Sequence, residues 1–296
     1  MAKCFVTIIA TVAAVSLAAC DIVITPKTYI TESSELGTEL GAPGARPSRV
    51  VSLDFCADQY VLKMIEPERI LAVSPDAKAP FSYMRDKATG LRSVRSAAED
   101  VMILRPDLVV RSYGGGPNAA AFFQKAGVPV LNVGWADDID GIKRVISEMA
   151  QGLGVPARGA KIIANMEARL AALKIQPQNN KVLYMTPSGT TTGAGSLVHH
   201  MLEKAGLENF QTEPGWRSLP LERLAYERPD MVAAAFFDTN RLEKDAWSAM
   251  RHPVARAQIR QLPTVALKGS WMSCGAWFSL DAIEALASRH YIGGGL

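Results

Sequence analysis

The stretch EDVMILRPDLV at residues 99–109 returns further along the chain as ERLAYERPDMV at residues 222–232. Glu, Arg, Pro, Asp and the last Val coincide without a gap, at an offset of 123 residues (99 to 222). Each copy is typical of a helix that ends before proline, then a turn, then a buried strand, because proline disfavours helical geometry in the residue before it. The duplication predicts two related structural units.

Short apolar strands alternate with helical segments around both copies. Before the midpoint, the pattern predicts strands at 49–53, 70–74, 108–111 and 128–133 and helices at 58–65 and 119–126. After it, the pattern predicts strands at 181–186, 231–236 and 264–267 and helices at 197–205, 221–227 and 280–288. This alternation is typical of parallel βα units. We therefore predict an α/β fold of two Rossmann-like lobes with parallel sheets, at residues 48–138 and 177–296.

Residues 139–176 separate the two predicted lobes. Apolar residues recur at helical spacing from 139 to 153 and again from 162 to 173, with Gly154 and Pro156 between the two runs. We expect linker helices here, and a long linker helix would join the lobes stiffly rather than through a wide hinge.

The first 20 residues are typical of an export signal. Lys3 precedes an uncharged apolar run, Phe5–Ala19, which is short of the ~20 residues of a membrane span. The run ends in Leu-Ala-Ala-Cys20, which resembles the lipobox of bacterial lipoproteins, where the cysteine thiol carries the lipid. We expect residues 1–20 to be a lipoprotein signal peptide and Cys20 to be lipidated. The alternative is an ordinary signal peptide in which Cys20 is incidental.

The residues that follow Cys20 bear on location. Asp21 resembles the signal that retains lipoproteins on the inner membrane. It therefore predicts a position on the periplasmic side of that membrane, or on the cell surface if there is no outer membrane. Residues 21–47 have little hydrophobic periodicity and predict a flexible tether between the lipid and the folded part.

Composition and motifs argue against several functions. A formal net charge of +3 is not the electrostatic footprint of a nucleic-acid-binding protein. The first histidine is His199, so the N-terminal lobe has no histidine to offer a clustered Zn or Mn site. The residues around Ser196 do not form a Gly-x-Ser-x-Gly elbow, and no phosphate-binding loop is present. We expect no catalytic activity, no metal site and no resident cofactor.

Three stretches carry a resemblance to a known family. RVVSLDFCAD at 49–58, LRPDLV at 104–109 and WMSCGAW at 271–277 resemble the substrate-binding proteins of ABC importers for ferric siderophores, haem and cobalamin. The resemblance covers residues 47 to 290. It implies a monomer that captures a small molecule in a cleft between two lobes and delivers it to the membrane subunits of a permease. Open alternatives are a docking or sensor lipoprotein that has lost transport and a Zn- or Mn-binding relative.

The resemblance places the ligand against the loops that follow the strands, where α/β sheets generally bind ligands. The candidate ligand-binding residues are Asp54, Phe55, Cys56, Tyr113, Gly114, Gly115, Thr190, Thr191, Trp216, Trp271 and Cys274. Glycines also form turns and tryptophans also fill cores, so each residue has a structural alternative. The aromatic faces favour cobalamin or another corrinoid, whereas Arg217 and Arg241 would suit an anionic ferric siderophore. Either ligand would itself contain the metal, cobalt or iron.

The resemblance also assigns a role to one pair of glutamates. It implies that Glu99 and Glu222 form salt bridges with arginines of the permease, although each could simply be an acidic residue that begins a helix. Cys56 and Cys274 are the two remaining cysteines of the mature chain. In an oxidising compartment they form either a disulfide or two free buried thiols.

Overall fold

The structure is a computed structural model that describes residues 46–175, 180–238 and 248–292. The predictions for the signal peptide, for lipidation of Cys20, for nearly all of the tether and for Arg241 lie outside these residues. Within them, no helix is long and apolar enough to span a membrane.

The first lobe is built on a four-stranded parallel sheet. Its strands are β1 (Val50–Ser52), β2 (Ile70–Ala72), β3 (Leu108–Arg111) and β4 (Val130–Asn132), in the order β2-β1-β3-β4. Its helices are α1 (Phe55–Met64), α2 (Ala98–Met102) and α3 (Ala119–Lys125). Strands β1 and β3 are buried along their whole length, as expected for a parallel sheet covered on both faces.

Two packed helices connect the lobes. They are α4 (Ile139–Gly152) and α5 (Pro156–Ala171), and α5 is the longest helix in the described part of the chain, at 16 residues. The chain turns between them at Gly154, whose φ is 70°. A Cβ at Gly159 would lie 2.4 Å from the Cβ of Ala150, so this glycine allows the two helices to approach closely.

The second lobe contains a five-stranded sheet and a small hairpin. The sheet strands are β5 (Lys181–Met185), β7 (Glu208–Asn209), β9 (Met231–Ala235), β10 (Thr264–Leu267) and β11 (Tyr291–Ile292), and β6 (Thr190–Thr192) pairs with β8 (Trp216–Ser218). The helices are α6 (Leu197–Lys204), α7 (Leu221–Tyr226), α8 (Pro253–Gln261), α9 (Gly269–Met272) and α10 (Ser279–Ala287). Only β11 runs antiparallel among the described strands of the larger sheet.

The two lobes share one topology. The order β7-β5-β9-β10 in the second lobe repeats β2-β1-β3-β4 in the first. The repeated Asp makes the same contact in each copy, since Asp107 accepts the backbone N–H of Arg49 at 3.0 Å and Asp230 accepts that of Lys181 at 2.7 Å. Asp107 therefore links the start of β3 to Arg49, just before β1. Asp230 links the start of β9 to Lys181, the first residue of β5. The predicted fold class, two α/β lobes with parallel sheets, is confirmed.

Asp58 is a fully buried carboxyl group on α1. Its two oxygens accept the backbone N–H of Ser74 at 3.0 Å and the Ser74 hydroxyl at 2.6 Å. Desolvation by burial nevertheless raises the pKa of Asp58 to about 6, against the opposing effect of these hydrogen bonds. The folded protein therefore binds this proton more tightly than the unfolded chain does.

We expect the stability of the protein to fall as pH rises from about 4 to about 6. In that window the carboxyl of the unfolded chain has already lost its proton while that of the folded protein still holds it. The free energy of unfolding therefore falls by about 3 kcal/mol in total and stays constant at higher pH. The variant D58N should remove this slope because it cannot ionise. Urea unfolding between pH 4 and pH 7.5 measures the effect, with D86N at an exposed aspartate as the control. An unchanged slope in D58N would contradict the assignment.

Candidate ligand-binding cleft

A cavity with a volume of about 820 Å³ lies between the lobes. Loops that follow β1 and β4 line it from the first lobe, and residues after β6 and β9 line it from the second. This is the carboxyl edge of both parallel sheets, where α/β folds bind ligands. The volume is in the range of sites that enclose a whole small molecule.

Aromatic side chains dominate the walls of the cleft. They are Phe55, Tyr60, Phe81, Trp135, Tyr184, Trp216, Phe236 and Trp271. The described lining contains one carboxylate, that of Asp137, and no Lys, Arg or His. Its other ionisable side chains are tyrosines. Such walls offer flat apolar faces and almost no formal charge, so they suit a large planar ligand with a neutral periphery.

Two of these aromatic side chains are exposed, one on each lobe. Trp135 follows β4 and is 80% exposed, and its indole N–H donates to Asp137. Trp216 is 58% exposed and meets the ring of Tyr184 edge to face, with the centroids 6.0 Å apart. Water-exposed indoles that line a concave site are typical of ligand-binding surfaces.

Five of the eleven candidate ligand-binding residues line this cleft: Phe55, Cys56, Trp216, Trp271 and Cys274. Asp54 does not, because its carboxylate is buried and occupied by the backbone. It accepts the N–H of Ala57 at 3.0 Å, which caps α1, and the N–H groups of Ser112 and Gly114 at 2.6 and 2.9 Å. Its negative charge thus holds the loop after β3 in place.

The other candidates also lie outside the lining. Gly114 allows a close approach, because a Cβ there would lie 2.5 Å from the carbonyl oxygen of Leu53. Gly115 has a φ of 79° and, with Tyr113, lines a smaller cavity of about 440 Å³ in the first lobe. Thr190 and Thr191 pair with β8, and Thr191 is buried.

Sequence reasoning missed five aromatic residues of the cleft: Tyr60, Phe81, Trp135, Tyr184 and Phe236. Trp135 and Phe236 follow β4 and β9, so the rule that ligands meet the ends of parallel strands could have found them. Phe236 also has a φ of 66°, a strained conformation for a residue other than glycine that tends to occur at functional sites. Phe81 lies in an irregular loop, and no local pattern marks it.

A seam of interlobe bonds closes one side of the cleft. Cys56 and Cys274 form a disulfide with their Cα atoms 5.9 Å apart. Beside it, the Tyr60 hydroxyl donates to the carbonyl of Gly275 at 3.1 Å, and the Ser273 hydroxyl donates to that of Phe81 at 3.0 Å. These bonds join the first lobe to the segment between α9 and α10.

The linker helix α5 reinforces this seam. Arg169 donates to Glu284 at 2.7 Å and to Asp281 at 2.6 Å, and Tyr83 of the first lobe donates to Asp281 at 2.9 Å. The two carboxylates raise the pKa of Arg169 further above its already high ordinary value. The guanidinium therefore stays charged and connects the linker to α10.

The remaining candidates lie away from the cleft. Glu99 and Glu222 are exposed in the first turns of α2 and α7, and neither has an ion pair or side-chain hydrogen bond within the described ranges. Arg217 forms an ion pair with Glu213 and does not line the cleft. The described residues include no group of three or more His, Cys, Asp or Glu that could hold a metal ion.

Two related α/β lobes with a ligand-sized cleft between them define a solute-binding protein. Residues 50–252 match the family model described as periplasmic binding protein, and the chain belongs to this family. Its members bind solutes outside the cytoplasm, and the resemblance seen in the sequence is confirmed. No curated protein sequence matches the chain.

Solved structures share the fold. A periplasmic heme-binding protein from Pseudomonas aeruginosa is 23% identical, with a TM-score of 0.64, over 84% of this chain and 94% of that one. The periplasmic heme-binding protein HutB of Vibrio cholerae is 19% identical, with a TM-score of 0.66, over 82% and 99%. CeuE of Helicobacter pylori in a nickel–histidine complex is 19% identical, with a TM-score of 0.59, over 83% of each chain. At these identities the similarity establishes the fold alone. The three structures do not all bind the same ligand on that fold, so the fold does not identify the ligand of this chain.

Proposed function

We propose that this protein is the substrate-binding component of an ABC importer and that it captures a corrinoid such as cobalamin. The observation that carries the proposal is the cleft, whose two lobes contribute eight aromatic side chains and a single carboxylate among the described lining. Membership of the periplasmic binding protein family supports the transport role and gives no support to catalysis.

The charge of the cleft favours a corrinoid over an anionic ferric siderophore. A corrin ring is large and flat, and its periphery carries mostly neutral amides, which can stack on indoles and bond to backbone groups. An anionic chelate would call for cationic side chains in the walls. Arg217 is already engaged by Glu213, and Arg241 lies outside the described residues.

Haem is the second candidate, because at least four of the similar structures are heme-binding proteins. The Tyr184 hydroxyl is buried in the cleft wall and bonds to no described residue, and a tyrosine can serve as an iron ligand. Burial raises the pKa of Tyr184 above its ordinary value, so this hydroxyl holds its proton in the free protein and iron would have to displace it. The carboxylates of haem would also meet no cation in the described lining.

The remaining parts of the proposal concern location and delivery. Cys20 would anchor the protein by a lipid to the periplasmic side of the inner membrane, and residues 21–47 would act as its tether. Glu99 and Glu222 would meet cationic groups on the two membrane subunits of the permease, which steers association. The protein would act as a monomer without a resident cofactor, and the cobalt would belong to the ligand.

Titration of the soluble chain from residue 21 tests the proposal. We expect one-to-one binding of cobalamin at micromolar concentration or below, measured by calorimetry and by quenching of tryptophan fluorescence. Haem and several ferric siderophores form the comparison panel. Tighter binding of haem or of a siderophore would identify that compound as the ligand instead of cobalamin, and the proposed importer role would stand. Failure of a well-folded protein to bind any of them would favour a docking or sensor lipoprotein.

A further inference from the structure

Two exposed apolar side chains occupy equivalent positions in the two lobes. Ile103 is 75% exposed and Tyr226 is 92% exposed. They are separated by the same 123 residues as Glu99 and Glu222 (103 to 226). Each lies four residues after the glutamate of its own lobe.

Each glutamate and its apolar neighbour lie on one face of a helical turn. The backbone N–H of Ile103 donates to the carbonyl of Glu99 at 3.3 Å, so helical geometry continues to this residue. In the second lobe, α7 contains both Glu222 and Tyr226. Residues four apart are neighbours on a helix surface, and each lobe therefore presents a carboxylate beside an apolar side chain.

Both helices also run in the same direction across their sheets. Before α2, Ser96 lies against Gly115 at the carboxyl edge, and after α2 the carbonyl of Leu104 accepts from Arg49 at the amino edge. Before α7, the N–H of Leu219 donates to Gly189, which follows β5. Each glutamate is thus nearer than its apolar neighbour to the edge that carries the cleft.

Core packing does not account for the exposed pair. The buried anchors of the two helices are Val101 and Leu224, which are also equivalent in the repeat, and they hold the helices to their sheets. Single exposed apolar residues are common on protein surfaces. The occurrence of two such residues at equivalent positions, each beside an unpaired carboxylate among the described residues, points to a partner.

We propose that Ile103 and Tyr226 are apolar anchors that insert into two equivalent pockets of a two-fold symmetric membrane partner, next to the cations that receive Glu99 and Glu222. This inference rests on the proposed importer function. A partner built from two copies of one subunit presents each surface patch twice, and the internal repeat presents a matching carboxylate and apolar side chain twice. The carboxylates would steer the encounter, whereas burial of the apolar side chains would slow dissociation.

Photo-crosslinking from the full chain in its native cells tests the inference. A benzophenone amino acid is placed at position 103, at position 226, or at Ile175, an exposed apolar residue outside the repeat. We expect positions 103 and 226 to crosslink to the same integral membrane subunit of an ABC importer, and position 175 to give no such product. Crosslinks to unrelated proteins, an absence of crosslinks, or an equal product from position 175 would overturn the inference.

Paired substitutions separate docking from ligand binding. In cells that depend on this protein, I103S/Y226S should lower uptake of radiolabelled cobalamin at least tenfold, whereas I175S should not. The purified I103S/Y226S variant should keep the cobalamin affinity of the wild type within twofold and melt at the same temperature. Normal uptake by I103S/Y226S would overturn the docking role. Absence of cobalamin binding in the wild type would instead count against the proposed ligand, and the crosslinking result would still decide the docking role.

Discussion

Simultaneous replacement of Cys56 and Cys274 by serine is expected to lower the melting temperature by on the order of 10 °C. The disulfide joins residues 218 positions apart and closes a loop that contains most of both lobes. Loss of such a cross-link raises the entropy of the unfolded chain and costs about 2–5 kcal/mol, and each kcal/mol moves the midpoint of a protein of this size by about 2–4 °C. Scanning calorimetry of the oxidised protein and of C56S/C274S measures the difference.

Reduction provides the control for this prediction. A thiol reductant should lower the melting temperature of the wild type to that of C56S/C274S, and it should leave the variant unchanged. The seam of hydrogen bonds around Tyr60 and Ser273 persists in both forms, so neither should lose its secondary structure at 25 °C. A difference of less than about 2 °C between the oxidised wild type and the variant would show that the disulfide adds little to the stability of the folded protein.

The variant W135A/W216A is expected to lose most of the affinity for the ligand. One indole comes from each lobe, both are exposed in the free protein, and a planar ligand would bury both. Loss of about 2 kcal/mol at each position weakens binding by about 30-fold, and the double variant should approach a loss of about 1,000-fold if the two sites act independently. Calorimetric titration with cobalamin, or with whichever ligand the panel selects, gives the ratio.

Two controls make this result specific to the cleft. F122A removes a partly exposed aromatic side chain on α3, outside the cleft lining, and should bind as the wild type does. The melting temperature of W135A/W216A should stay within a few degrees of the wild type, because exposed side chains contribute little to the core. A decrease of less than threefold in affinity would place the ligand elsewhere.

Local patterns in the sequence predicted much of the fold. Strands such as 108–111 and 264–267 have the predicted bounds, because each is an apolar run that ends at turn-forming residues. Predicted helix 58–65 begins three residues earlier in the structure, because Asp54 caps it through the N–H of Ala57. The two-residue strands β7 and β11 were not predicted, since so few residues carry no periodic signal.

The candidate site was only partly accessible to sequence reasoning. Phe55 and Trp271 line the cleft as expected, but Asp54 lies beside Phe55 in the chain and its side chain points into the backbone of a neighbouring loop. A residue of a strand-end loop can face the ligand or the sheet, and its hydrogen-bond partners decide which. Those partners, Ser112 and Gly114, are 58 and 60 residues away.

By itself the sequence determined the two-lobed α/β architecture, because alternation, turn residues and an internal repeat are properties of short stretches of chain. Only the tertiary structure decided which side chains form the cleft and how the lobes are joined. Phe81 and Trp135 reach one cavity through packing between distant segments, and the bond between Cys56 and Cys274 depends on the approach of α1 to the segment after α9. Such contacts depend on the relative positions of whole elements, which no local pattern encodes.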